Sequence, residues 1–121
     1  MHFAVEILPK GSEHVLTRTV RYDGRDPALW NDEDVREVMK LALVTFDEVV
    51  HPEAAQPRQV ALRGLSWIVT TLDRGVAIAM EIPSGAVVAG PFEIDAHMLT
   101  DMIARIMRTP AANDPAGSFV H

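Results

Sequence analysis

Hydrophobic and polar residues alternate with a period of two near the N-terminus, in two stretches separated by a turn-like segment. Residues 3–8 and residues 14–22 both show this alternation, and the segment between them contains Pro9 and Gly11. A period of two is typical of strands that turn every second side chain towards the core. The pattern therefore predicts an N-terminal β-hairpin.

The longest apolar region, residues 65–94, predicts three consecutive antiparallel strands. It is rich in β-branched residues and is interrupted at residues 73–75 and 83–85, where a glycine ends each turn-like triplet. A further short strand is predicted at residues 60–65. Apolar side chains occupy both alternating sets of positions in the long region. Because antiparallel strands of this kind are usually covered on both sides, we expect both faces of the sheet to be covered.

Two segments have the 3.6-residue period of amphipathic helices. In residues 31–50 the apolar side chains fall on one broad face, Asn31 is in position to cap the N-terminus, and acidic residues in the first turn complement the helix dipole. Residues 95–108 form the second segment, with Asp95 at its start as the predicted cap. The sequence therefore predicts two helices, one between the hairpin and the three strands and one after them.

The predicted element order is β-β-α-β-β-β-α, which defines an α+β protein with a five-stranded antiparallel sheet and two helices. With 121 residues in all, we expect one domain over residues 1–109. Residues 110–121 have the composition of a disordered tail. This element order resembles that of longin-like and roadblock-like members of the profilin-like folds, and the resemblance implies one antiparallel sheet that carries helices on its faces.

Charge and composition exclude several classes of function. The formal net charge is −6, which disfavours a large contact with nucleic acid, and the absence of cysteine excludes disulfides and thiolate metal sites. No apolar run approaches the roughly 20 residues of a membrane span, and the N-terminus has no basic region typical of a signal peptide. We therefore expect a cytoplasmic protein that binds neither nucleic acid nor membranes.

The apolar residues of the second helix spread over about half of its circumference, which is wider than contact with one sheet requires. The helix could be enclosed in the core between the sheet and the first helix. Alternatively, its face could contact a second copy of the chain, and the abundance of methionine suits an adaptable contact surface. We favour the homodimer interface, which would comprise Met98, Leu99, Met102, Ile103, Ile106 and Met107.

Four polar residues could line a pocket between the sheet and a helix, namely Glu81, His97, Asp101 and Arg74. His97 and Asp101 are four residues apart, a spacing that suits a metal ion or an oriented general base. A solvated helix face with an Asp101–Arg105 ion pair explains the same spacing. Glu81 lies in an otherwise apolar strand, where a buried carboxylate would need a partner or a raised pKa.

Recognisable catalytic motifs are absent from the sequence. It has no Gly-x-Ser-x-Gly elbow, P-loop, dinucleotide fingerprint or His-Glu-x-x-His pair, and without cysteine it has no thiol nucleophile. These absences favour a small non-enzymatic interaction or regulatory module, without cofactor or metal, that binds a second copy of itself or another protein. The alternative is a small enzyme or ligand-binding domain that uses the polar pocket.

Overall fold

The computed structural model describes residues 1–52, 62 and 65–108, which form a five-stranded antiparallel sheet and two α-helices. Neighbouring strands follow the order β2-β1-β5-β4-β3, so that β2 and β3 lie at the two edges of the sheet. The predicted fold class and element order are confirmed. The predicted strand at residues 60–65 falls largely outside the described residues, and the predicted tail at residues 110–121 lies wholly outside them. The elements are β1 (His2–Pro9), β2 (Leu16–Arg21), α1 (Asp32–Val50), β3 (Ser66–Leu72), β4 (Gly75–Ile82), β5 (Gly85–Phe92) and α2 (Ala96–Arg108), with one 3-10 turn (Pro27–Leu29) before α1.

Both turns of the three-strand region are confirmed as two-residue hairpin loops. Leu72 pairs with Gly75 across the first loop, and Ile82 pairs with Gly85 across the second. Gly85 has a φ of +147°, and a Cβ at this position would lie 2.4 Å from the carbonyl oxygen of Leu8. An L side chain is therefore excluded by backbone conformation and by space, which explains why glycine follows the turn.

The two helices begin at the predicted capping residues. The Asn31 side chain accepts a hydrogen bond from the backbone of Asp34, whose own side chain accepts one from the backbone of Asn31. This reciprocal pair is a capping box, and Trp30 and Val35 on either side of it are both buried. Asp95 similarly accepts a hydrogen bond from the backbone of Met98 at the start of α2.

The core lies between the two helices and one face of the sheet. On β1 the side chains of Phe3, Val5 and Ile7 are buried and alternate with exposed or half-buried ones, and Phe92 on β5 lies in the same layer. The Phe92 ring contacts those of Phe3 and Trp30, with ring centroids 5.3 Å and 4.9 Å apart. The edge-to-face contact of Trp30 with Phe92 joins the sheet to the segment that leads into α1.

The expectation that both faces of the sheet are covered is wrong for the described part of the chain. Helices α1 and α2 contact each other as well as the sheet, so both lie on the same side of it. The alternation pattern does not distinguish a covered second face from an uncovered one, because small apolar side chains on an uncovered face produce the same pattern.

In the residues that the structure describes, no helix is long and apolar enough to cross a membrane.

Candidate interaction surfaces

Most of the apolar face of α2 lies within the core of a single chain. Leu99 and Ile103 are fully buried, and Met102 and Ile106 are 4% and 5% exposed. Met98 is 51% exposed and Met107 is half-buried. The first helix and the sheet together therefore account for the wide apolar face. Of the six residues predicted as an interface, Met98 presents the most free surface.

The four residues of the predicted polar pocket do not come together in one place. Glu81 is exposed on the sheet face opposite the helices, whereas His97 and Asp101 are exposed on α2. Arg74 lies in the turn before β4, and Glu81 is near the far end of that strand. The two residues are seven positions apart along the chain, which corresponds to about 24 Å of extended strand. Glu81 is exposed to solvent, so its carboxylate needs no buried partner.

Helix α2 uses its basic residues differently from the prediction. Arg105 donates two hydrogen bonds to the carboxylate of Asp32 at the start of α1, at 2.8 Å and 2.9 Å. These bonds hold the pKa of Asp32 below its usual value, and Asp32 in turn raises the pKa of Arg105. Arg105 thus connects the two helices rather than forming its main contact with Asp101.

Neither a metal-binding cluster nor a groove with the predicted pocket residues is present in the described part of the chain. Among residues 1–52, 62 and 65–108, no group of three or more His, Asp or Glu side chains is placed to hold a metal ion. An open groove of about 730 Å³ lies between β2 and α1, and none of the four predicted pocket residues lines it. Of its two arginines, Arg18 donates to the neighbouring Thr17 carbonyl and Arg21 pairs with Asp23, and its Thr45 hydroxyl donates to the Leu41 carbonyl.

A buried carboxylate network, which the sequence analysis did not predict, joins β2 to the start of α1. The Asp34 side chain accepts hydrogen bonds from the Tyr22 hydroxyl at 2.5 Å and from the backbone N–H of Asn31 at 2.9 Å, and Arg25 lies 3.2 Å away. Burial acts to raise the pKa of Asp34, but these donors outweigh it and hold the pKa below its usual value. Burial and the bond to Asp34 raise the pKa of Tyr22 to about 12.

This network also fixes the loop before α1. The indole N–H of Trp30 donates to the carbonyl of Arg25 at 2.7 Å, and the rings of Tyr22 and Trp30 meet edge to face. The Asp34 carboxylate itself is saturated by donors from within the chain, and we therefore interpret the network as structural. The Asn31-x-x-Asp34 spacing was the available sequence signal, because it matches a capping box.

No described element covers the sheet face opposite the helices, and we call it the open face. Its centre consists of small side chains on the three middle strands, and Leu8 and Ile68 border it with exposures of 39% and 62%. The polar side chains of β2 and β3 lie at its two sides. The half-buried central residues are Ala4, Ala79, Ala86 and Val88, whereas Ala77 and Gly90 on the same face are buried.

The two edges of the sheet differ in their protection against further pairing. Strand β2 has the sequence LTRTVR and carries two arginines, whereas β3 has the sequence SWIVTTL and carries neither charge nor proline. Charged residues and proline on an edge discourage pairing with another chain. In the described part of the chain no strand pairs with the outer side of β3. The β3 edge is therefore open to strand addition, whereas the arginines of β2 disfavour pairing at the other edge.

Comparison with protein-family models, with curated proteins and with solved structures found no match for this chain. The functional roles of these surfaces are therefore inferred from the geometry of this chain alone.

Proposed function

We propose that this chain is a small non-enzymatic interaction or regulatory module of the cytoplasm that acts as a homodimer. The observation that supports this most directly is the outer edge of β3, a seven-residue strand without charged residues or proline. On that outer side, β3 pairs with no strand among the described residues. Exposed edges of this kind are templates for pairing with another strand, and natural proteins usually block them.

The sequence of β3 suits antiparallel pairing with itself. When two copies overlap over the whole strand, Val69 faces the same residue of the second copy and Trp67 faces Thr71. No charges meet in this register, and aromatic and β-branched side chains are the pairs that stabilise neighbouring strands. The two sheets would then form one continuous sheet of ten strands, with all four helices on the same side.

Helix α2 supports the same arrangement because it contacts β3 on the covered side of the sheet. Met98 is exposed and available to extend the contact beyond the strands, whereas Met107 is half-buried and packs against the core. Such an extension is needed, since a stable interface usually buries about 800 Å² on each partner.

The proposal is tested by placing a lysine on one sheet edge at a time. Thr71 on β3 and Thr17 on β2 are both exposed edge threonines, so Thr71→Lys and Thr17→Lys change charge equally. In sedimentation equilibrium the Thr71→Lys variant should dissociate with a constant at least about tenfold higher than that of the Thr17→Lys variant. A monomeric unmodified chain would refute the homodimer, and equal dissociation of the two variants would refute its placement at β3.

A further inference from the structure

We propose that the open face binds an amphipathic helix of another protein, one whose apolar stripe is bordered by lysine or arginine. This inference shares the interaction role proposed above but does not depend on the β3 dimer, because it uses side chains on the open face whereas the dimer uses the outer backbone edge of β3. It rests on the composition of the open face and on two carboxylates that lie on it.

The open face has the anatomy of an interface. Its centre is apolar and made of small side chains, while Thr17 and Thr19 on one side and Ser66 and Thr70 on the other supply a polar rim. An apolar centre with a polar rim is the usual composition of a protein contact surface. The small central residues also allow the backbone of a partner to approach closely.

Two carboxylates on this surface have no partner among the described residues. Glu6 on β1 and Glu81 on β4 are both exposed, and no salt bridge or side-chain hydrogen bond of the described residues involves either of them. Glu6 pairs with Val88 and Glu81 pairs with Ala86 on the strand between them. The two acidic residues therefore stand on opposite sides of an apolar strip.

The positions of these carboxylates indicate the shape of the partner. They are two strands and two residues apart, which places their Cα atoms about 12 Å from each other. Along β5 the two carboxylates are about 7 Å apart and lie on opposite sides of the strand. Basic residues five positions apart on a helix are about 7.5 Å apart along its axis and differ by about 140° around it, so they lie on the two sides of an apolar stripe. A helix that lays small apolar residues over Val88 and Ala86 can therefore place a basic group against each of Glu6 and Glu81.

Charge also decides between this partner and the other occupants. A second copy placed face to face would bring the two carboxylates of each chain into one interface, where like charges oppose association. Nucleic acid is disfavoured by the same two groups and by the net charge of −6. A small molecule would need a concave site, whereas this surface is one face of a sheet.

The test uses the full chain and two synthetic helical peptides of about 16 residues, a length of about 24 Å that spans one strand. The peptides share one apolar stripe of alanine and leucine, bordered by lysine in one and by glutamate in the other. The double variant Glu6→Lys with Glu81→Lys removes the proposed contacts. The matched control, Glu13→Lys with Glu93→Lys, changes two exposed glutamates outside the strands and alters the net charge equally.

Fluorescence anisotropy should show the basic peptide binding to the unmodified chain and to the control, and at least about tenfold more weakly to the Glu6/Glu81 variant. That variant should instead prefer the acidic peptide. An Ala79→Trp variant, which fills the centre of the face, should also lose the basic peptide while retaining its circular dichroism spectrum. The Thr71→Lys variant should bind as the unmodified chain does, which separates this inference from the dimer. Absence of binding, or equal weakening in the matched control, would overturn the proposal.

Discussion

Replacing Asp34 by alanine tests how strongly the buried carboxylate network stabilises the fold. The side chain of Asp34 is 9% exposed and is the only buried charged residue in the described part of the chain. The Asp34→Ala change leaves the Asn31 backbone N–H without its capping acceptor and the half-buried Tyr22 hydroxyl without its acceptor. It also leaves Arg25, which is 56% exposed, without its ion-pair partner.

The expected loss of stability follows from these three contacts. Removal of a capping side chain costs about 1 kcal/mol. A hydrogen bond to a charged acceptor contributes roughly 1.5–3 kcal/mol. The ion pair with Arg25 contributes less than about 1 kcal/mol, because the guanidinium is largely solvated. Asp34→Ala should therefore lower the free energy of unfolding by roughly 2–4 kcal/mol, given that such terms are only partly additive.

Urea unfolding followed by tryptophan fluorescence measures this loss, since Trp30 packs against Tyr22 and reports on the same region. A double-mutant cycle with Tyr22→Phe isolates the hydroxyl–carboxylate contact, and we expect a coupling of about 1–2 kcal/mol. The contribution of Asp34 should be present above its ordinary pKa of 3.8 and should disappear as the pH falls, because its folded pKa is depressed. A loss below about 0.5 kcal/mol for Asp34→Ala, or additive single changes, would refute this account of the network.

Three other results are expected from the same structure. Because the pKa of Tyr22 is about 12 in the folded chain against an ordinary value of 10.0, its contribution to stability is complete below pH 10 and declines as the pH rises towards 12. In urea titrations, Tyr22→Phe should remove that part of the loss of stability at alkaline pH. Gly85→Ala should lower the thermal midpoint more than Gly11→Ala, because both glycines have a positive φ but, of the two, only Gly85 lacks space for a Cβ. Equal decreases in the thermal midpoint would contradict this steric argument. Met102→Asp should unfold the chain whereas Met98→Asp should leave it folded by circular dichroism, and a folded Met102→Asp protein would show that this part of α2 is not core.

The element order and the helix and strand periods could be predicted because each depends on local spacing. Asn31 and Asp95 are caps in the structure, and the turns before Gly75 and Gly85 formed where glycine indicated them. Local spacing also predicted which side of α1 is apolar, and Val35 and most of that face are buried. These features need no knowledge of what lies across the core.

The relation between the layers could not be predicted, because it depends on contacts between distant residues. The alternation in β4 is equally consistent with a second covered face and with an open face of alanines, and the period alone does not distinguish them. Likewise, the width of the apolar face of α2 does not distinguish contact with α1 from contact with a second copy. Arg105 illustrates the same limit, since Asp101 is near in sequence but Asp32 provides the carboxylate that it binds.

The absence of cysteine allows one direct test of the proposed dimer through β3. With Val69→Cys, each chain carries a single thiol that would lie at the two-fold axis of the fully overlapping strand pair. Val20→Cys on the opposite edge is the matched control. Under mild oxidation we expect a disulfide-linked dimer of Val69→Cys but not of Val20→Cys on a non-reducing gel. If the two variants cross-link equally, or Val69→Cys does not cross-link, β3 is not the surface through which two copies associate.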